Sequence, residues 1–174
     1  MERIEPTIFD AQQSLRSFNS AARWLSERVG QEFRRESGMW QIHYEMLSWL
    51  SEAPEGQLGL TKLARRMGIS TSRLSHLVDR AQEHGWVERA PDPVDLRIVL
   101  ARLTDAGKDA LRAATPLQLA CVRSRLIERL TPAQVEQLRE ISEALIGRSA
   151  NSTKADSAES GHAGISLLPF AAPQ

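Results

Sequence analysis

Serine, arginine and histidine side chains are concentrated on one face of a short helix predicted from Thr71 to about His84. Apolar residues recur there at the i, i+3, i+4 and i+7 spacing of a core-facing stripe, so the polar residues between them must face outward. The outward residues are Ser72, Arg73, Ser75, His76, Asp79 and Arg80, and Ser70 and Thr71 precede them. Such side chains can hydrogen-bond to base edges and phosphates, and an arginine can pair with both acceptors of a guanine. Arg73 is therefore the first candidate for base readout.

The segment around this helix is basic, although the whole chain is neutral. The 174 residues carry 22 Lys and Arg against 22 Asp and Glu, which argues against an indiscriminate nucleic-acid binder. Between Lys62 and Arg80, however, five cations accompany one acid, a local net charge of about +4. A nucleic-acid surface is therefore expected to be local, with Lys62 and Arg66 contacting phosphates without reading sequence.

A predicted β-hairpin follows this helix. Residues 86–89 and 98–103 have the composition and alternation of two strands, and the loop between them contains two prolines. Asp95 lies two residues before Arg97 and can hold its guanidinium toward a minor groove. Arg89, on the first strand, is expected to contact the DNA backbone.

Amphipathic helices are predicted before this segment. A stripe from Ile4 to Val29 alternates gaps of four and three residues, which suits packing against another helix, in the same chain or in a second copy. Gly30 is a possible stop, unless the following polar run extends the helix. Ser37 is a possible N-cap for a second, largely buried helix, and Thr61 a possible N-cap for a third that ends near Met67.

Helices are also predicted after the hairpin. Thr104 caps the first, in which Pro116 should cause a kink or a restart, and Thr131 with Pro132 begins the last. Residues 148–174 are rich in Ser, Ala and Gly, and we interpret them as a disordered tail. The single cysteine, Cys121, shares an apolar face and is expected to be a buried, inert thiol rather than a redox switch.

The stretch LTKLARRMGISTSRLSHLVDRAQEHGWVERAPDPVDLRIVLARLTDAGKDAL resembles the DNA-binding core of MarR-type regulators. The resemblance includes the wing pattern Asp95-Leu96-Arg97 and the following Leu103, Thr104 and Gly107. It implies a mostly α fold with a small β-hairpin wing: a winged helix-turn-helix at 58–104, between dimerisation helices at 5–35 and 105–147, in a domain spanning 1–147. It also implies a homodimeric repressor on a palindromic operator, in a family whose members are often released from DNA by a small aromatic ligand.

The chemistry of the rest of the chain is less specific. Trp24, Trp40, His43 and Tyr44 could line an effector pocket or belong to the core. The four histidines have no carboxylate or nucleophile partners at useful spacing, so no enzyme, cofactor or metal site is predicted. No apolar run is long enough to span a membrane, and a cytoplasmic location is expected. The alternative function is a winged-helix module that binds protein instead of DNA.

Overall fold

The computed structural model describes residues 7–145; Ile4, Pro6 and the predicted tail lie outside the described residues. Within these residues, six α-helices and three strands follow one another. They are α1 (Ile8–Ser37), α2 (Gln41–Ser51), β1 (Gln57–Gly59), α3 (Leu60–Met67), α4 (Thr71–Glu83), β2 (Val87–Pro91), β3 (Val99–Leu103), α5 (Asp105–Arg125) and α6 (Pro132–Leu145). The predicted fold class, mostly α with a small β wing, is confirmed.

The sheet has one strand more than the predicted hairpin. All pairs are antiparallel in the order β1-β3-β2, so β3 is central. Val87 pairs with Leu103 at one end of the hairpin, and Gln57 of β1 pairs with Arg102 on the other side of β3. Strand β1 has only three residues, too few for an alternating pattern to be recognised in the sequence.

The core lies where α2, α3 and α4 meet beneath the sheet. Its largest completely buried side chains are Phe33, Met46, Leu47, Leu50, Leu63, Leu74 and Val78. Three of these seven belong to α2, so the prediction that this helix is largely buried is confirmed. Two come from α4, and their burial turns the opposite face of α4 to solvent.

Two predicted N-caps are wrong. Helix α1 passes Gly30 and ends at Ser37, whose hydroxyl donates to the Phe33 carbonyl at 2.7 Å and accepts from the Met39 amide at 3.1 Å. Ser37 therefore closes α1, and α2 is instead preceded by Trp40. Thr61 lies inside α3, whose N-cap is Gly59, because β1 leads directly into the helix.

The predicted caps of the C-terminal helices are confirmed. Thr104 caps α5, which continues through Pro116 to Arg125, so of the two predictions for Pro116, a kink or a restart, the restart is wrong. Proline has no N–H group to donate to the helix carbonyl four residues earlier. Because Pro116 is exposed, that carbonyl can bind water instead. The start of α6 is as predicted: the Gln134 amide donates to the Thr131 hydroxyl at 3.3 Å.

The junction between the hairpin and α5 is tightly packed. The Thr104 hydroxyl donates to the Gly85 carbonyl at 2.6 Å and accepts from the Gly107 amide at 3.0 Å. The Thr104 amide donates to the Trp86 carbonyl at 3.0 Å. These bonds hold the first turn of α5 against the segment that joins α4 to β2.

Candidate nucleic-acid interface

The turn between α3 and α4 positions the predicted reading helix. Gly68 ends α3 with φ of 64°, the left-handed conformation that glycine adopts without steric cost. Ser70 is the N-cap of α4, and its hydroxyl accepts from the Arg73 amide at 3.2 Å. Ser70 is thus the N-cap of α4, and Thr71 is exposed at the helix start.

The outer face of α4 is solvent-exposed and carries unneutralised positive charge. Ser72, Arg73, His76 and Arg80 are all exposed on α4, as is Lys62 on α3. None of the ion pairs within residues 7–145 involves Lys62, Arg73 or Arg80. In a chain with equal numbers of acids and bases, free cations on one surface favour an anionic partner.

Arg89 of β2 is held against α4. Its guanidinium donates to the Asp79 carboxylate, to Gln82 Oε1 at 2.8 Å, and to the Ser75 carbonyl and hydroxyl at 3.1 and 3.0 Å. Asp79 is the one acid of the basic segment, and Arg89 neutralises it. The sequence predicted that Arg89 contacts the DNA backbone, whereas in the structure it is hydrogen-bonded to α4. The single acid of the basic segment, Asp79, was the sequence feature that could have indicated this pairing.

The Ser75 hydroxyl is hydrogen-bonded differently from those of Ser48 and Ser142. Ser48 and Ser142 donate to the carbonyl four residues earlier, at 2.9 and 2.7 Å. Ser75 instead accepts a hydrogen bond from Arg89. One lone pair of its oxygen is therefore occupied, and its proton remains available for an outside acceptor.

Arg66 is placed differently from Lys62, although both were predicted to contact phosphates. Arg66 is half-buried, and its guanidinium carbon lies 5.5 Å from the centre of the Trp49 ring. Burial raises the pKa of the neighbouring Glu52, and the charge of Arg66 partly offsets that effect. Lys62 is thus the more accessible cation of the two.

The wing presents one arginine in a fixed orientation. Arg97 Nε and Nη2 donate to the two carboxylate oxygens of Asp95, each at 2.9 Å. Hydrogen bonding from Arg97 lowers the pKa of Asp95 and raises that of Arg97, so both groups stay charged. The Arg97 side chain is nevertheless 90% exposed. The pairing predicted from their spacing is confirmed.

The four aromatic side chains predicted for an effector pocket have separate neighbours. The Trp24 ring contacts Arg129, and the Trp40 ring lies 3.4 Å from the guanidinium carbon of Arg34. Trp24 and Arg34 are ten residues apart on α1, about 15 Å along a helix. Tyr44 packs edge-on against Phe33, and His43 against Trp86. The structure does not gather all four around one small cavity.

His43 is a buried histidine on α2. Its side chain is 4% exposed, and its Nε2 atom has no hydrogen-bond partner within residues 7–145. Burial is the largest cause that lowers the pKa of His43, and the charges of His84 and Arg80 lower it further. The neutral imidazole is therefore the form that the fold accommodates.

Acidification should destabilise the protein through His43. In the unfolded chain the imidazole binds its proton around pH 6.5, whereas in the folded chain protonation needs a lower pH. The unfolded state thus binds more protons below about pH 6.5, and the free energy of unfolding falls as the pH drops. Urea titrations from pH 7.5 to 5.5 should show a smaller decline for His43→Gln than for the wild type. Identical declines would contradict this assignment.

The remaining sequence predictions concern metal-binding clusters, membrane-spanning helices and the single cysteine. Among residues 7–145, no cluster of three or more His, Cys, Asp or Glu side chains could hold a metal ion. No helix in the same range is long and apolar enough to cross a membrane. Cys121 is 2% exposed, as predicted, and burial is the largest cause that raises the pKa of its thiol.

Known proteins are similar to this chain in sequence and in fold. The family model described as "MarR family" matches residues 37–98. A Streptomyces coelicolor MarR-family transcriptional regulator, Sco3205, solved in complex with DNA, is 35% identical over 84% of this chain and 91% of its own, with a TM-score of 0.74. AbsC from the same organism is 28% identical over 83% of this chain and 99% of its own, with a TM-score of 0.71. The transcriptional repressor MprA of Escherichia coli is 28% identical over 51% of this chain. The chain spans only 49% of the length of that repressor.

Proposed function

This chain belongs to the MarR family of transcriptional regulators, and from that premise we propose that it represses transcription as a homodimer on a palindromic operator. The observation that carries the proposal is the positive charge on the outer face of α3 and α4, where Arg73 and Lys62 are exposed and have no ion-pair partner among residues 7–145. Sco3205, of similar fold, was solved with DNA. Family members regulate transcription and are not enzymes, in agreement with the prediction.

The side chains have different roles in this proposal. On α4, base edges in the major groove are read by Arg73, His76, Ser72 and Ser75. Phosphates are contacted by Lys62, Arg66 and Arg80. The start of α4, with Ser70 and Thr71, lies beside the DNA backbone. On the wing, Arg97 enters the adjacent minor groove and is held by Asp95. Arg89 acts through α4.

Exposed apolar residues on the terminal helices support the homodimer. Ile8, Leu15 and Phe18 of α1 are 81%, 59% and 40% exposed, and Ile141 of α6 is 53% exposed. Helix α6 buries none of its residues within the chain. A helix of this length needs tertiary packing to be stable in water, and a second copy can supply it through both terminal helices. Light scattering on the full chain measures this assembly.

Release of DNA by a small aromatic ligand stays a prediction. Among the four side chains proposed for it, Trp40 is half exposed and lies against the Arg34 guanidinium. An aromatic ring with an adjacent cation suits an aromatic carboxylate, which can stack on the ring and pair with the charge. Trp24, His43 and Tyr44 lie against different neighbours, and their role in ligand binding stays a prediction.

Salt dependence separates this function from the alternative, a winged helix that binds protein. DNA affinity falls steeply with salt because phosphate contacts release counterions. The experiment is to select binding sites from a random duplex pool with the full chain, and then to measure affinity against salt on the selected site. A selected palindrome and a steep slope are expected. Failure to enrich any sequence, or an affinity insensitive to salt, would refute the proposal.

Two substitutions separate base reading from phosphate contact. Arg73→Ala should weaken binding to the selected site by about 1–3 kcal/mol and relax base preference at one position, because a bidentate pair is lost. Lys62→Ala should weaken all sequences alike and make the salt slope shallower by about one. Fluorescence anisotropy on the selected and a scrambled duplex measures both. If the two variants behave identically, α4 does not read the bases.

A further inference from the structure

The tip of the wing carries exposed aliphatic side chains beside its arginine. Val94 is 94% exposed and Leu96 76% exposed, and Ile98 and Val99 are 43% and 41% exposed. Scattered surface apolar residues are common and need no explanation. These four, however, lie within six residues of one loop and strand, on either side of Arg97.

The loop holds these side chains in place before any partner binds. Asp92 Oδ1 accepts from the amides of Val94 and Asp95 at 2.8 and 3.0 Å. The Asp92 amide donates to the Ile98 carbonyl, and the Ile98 amide donates to the Asp95 carbonyl, each at 2.9 Å. Because the backbone is already ordered, little entropy is lost when the tip binds a surface.

The acids of the wing are hydrogen-bonded within the loop, whereas its apolar side chains are exposed. Asp92 and Asp95 are half-buried, and their carboxylates are used by loop amides and by Arg97. The exposed tip thus consists of Val94, Leu96 and a guanidinium. Its acidic groups, which would repel phosphates, are already hydrogen-bonded within the loop.

We propose that Val94 and Leu96 pack against the deoxyribose walls of a DNA minor groove while Arg97 lies in that groove. This inference rests on the proposed function. The groove combines a negative potential, which attracts arginine, with C–H-lined sugar walls that accept aliphatic side chains. Val94 and Leu96 flank the 90% exposed Arg97, so a guanidinium that enters the groove brings both aliphatic side chains to the groove walls. The exposed charge between them disfavours an apolar protein partner, whose contact surface would exclude a charged centre.

Affinity and its salt dependence distinguish apolar from ionic contacts at the wing. On the selected duplex, Leu96→Ala should weaken binding about tenfold, since each buried CH2 group contributes a few-fold to affinity. Val94→Ala should weaken it less. Both should leave the slope of log affinity against log salt unchanged, because no phosphate contact is lost. Arg97→Ala should make that slope shallower by about one.

An exposed position outside both the wing and the dimerisation helices provides the control. Ser51 at the end of α2 is exposed, and Ser51→Ala should leave affinity and slope unchanged. Wild-type affinity for the double variant Val94→Ala, Leu96→Ala would overturn the proposal, and so would a loss accompanied by a shallower salt slope. If the wild type selects no DNA, the proposed function itself fails. Hydroxyl-radical footprinting should show minor-groove protection at the flanks of the site, and its absence from the wild-type complex would also overturn the proposal.

Discussion

Gly107→Ala is expected to destabilise the fold by about 3 kcal/mol or more, because the added methyl group has no space. It would overlap the Trp86 carbonyl oxygen and lie 2.8 Å from Leu103 Cδ1. Relief would require α5 to move away from the hairpin, which would break the Thr104 hydrogen bonds to Gly85 and Gly107. Urea denaturation followed by circular dichroism, at one protein concentration, measures the change.

Gly30→Ala is the matched control, since Gly30 also lies inside a helix. A methyl group there would lie 3.8 Å from Gln41 Cβ, an ordinary contact. Alanine loses less backbone entropy than glycine on folding, so this variant should be more stable than the wild type by about 0.5–1 kcal/mol. A Gly107→Ala protein as stable as the wild type would show that α5 does not pack this closely on Trp86.

Local patterns were enough to predict the elements that depend on neighbours in sequence. Helix α4 was predicted because its apolar residues follow the helical period and Ser70 and Gly85 mark its ends. The Asp95–Arg97 pair was predictable for the same reason, since only two residues separate the partners. The spacing of Thr104 and Gly107 was noted only as a family resemblance, and the structure supplies its physical cause.

Features that depend on distant partners were not predictable in this way. Strand β1 exists because β3, over forty residues later, offers it a hydrogen-bonding edge. Ser37 resembles a helix N-cap in sequence, but its hydroxyl is used by the end of the preceding helix. The target of Arg89 lies on another element, and side-chain type alone did not distinguish a phosphate contact from an internal one.

Arg89→Ala is expected to weaken DNA binding by about 2 kcal/mol, although the hydrogen bonds that Arg89 makes in this structure go to α4. Its loss would leave the Asp79 carboxylate unneutralised on the surface that faces phosphates. It would also free the Ser75 hydroxyl to turn back to the helix carbonyl four residues earlier, as Ser48 does. Anisotropy on the selected duplex measures the affinity, and urea denaturation identifies any loss of folded protein.

A double-mutant cycle with Asp79→Ala decides how Arg89 acts. If Arg89 works by neutralising Asp79, then Asp79→Ala should restore much of the affinity in the Arg89→Ala background, while changing the wild type little. If Arg89 instead contacts a phosphate, the two effects should add, and Arg89→Ala should make the salt slope shallower by about one. Ser75→Ala adds a further test, because Arg89 presents that hydroxyl as a donor. Its removal should cost most on sites with an acceptor, such as guanine O6 or N7, at the facing base.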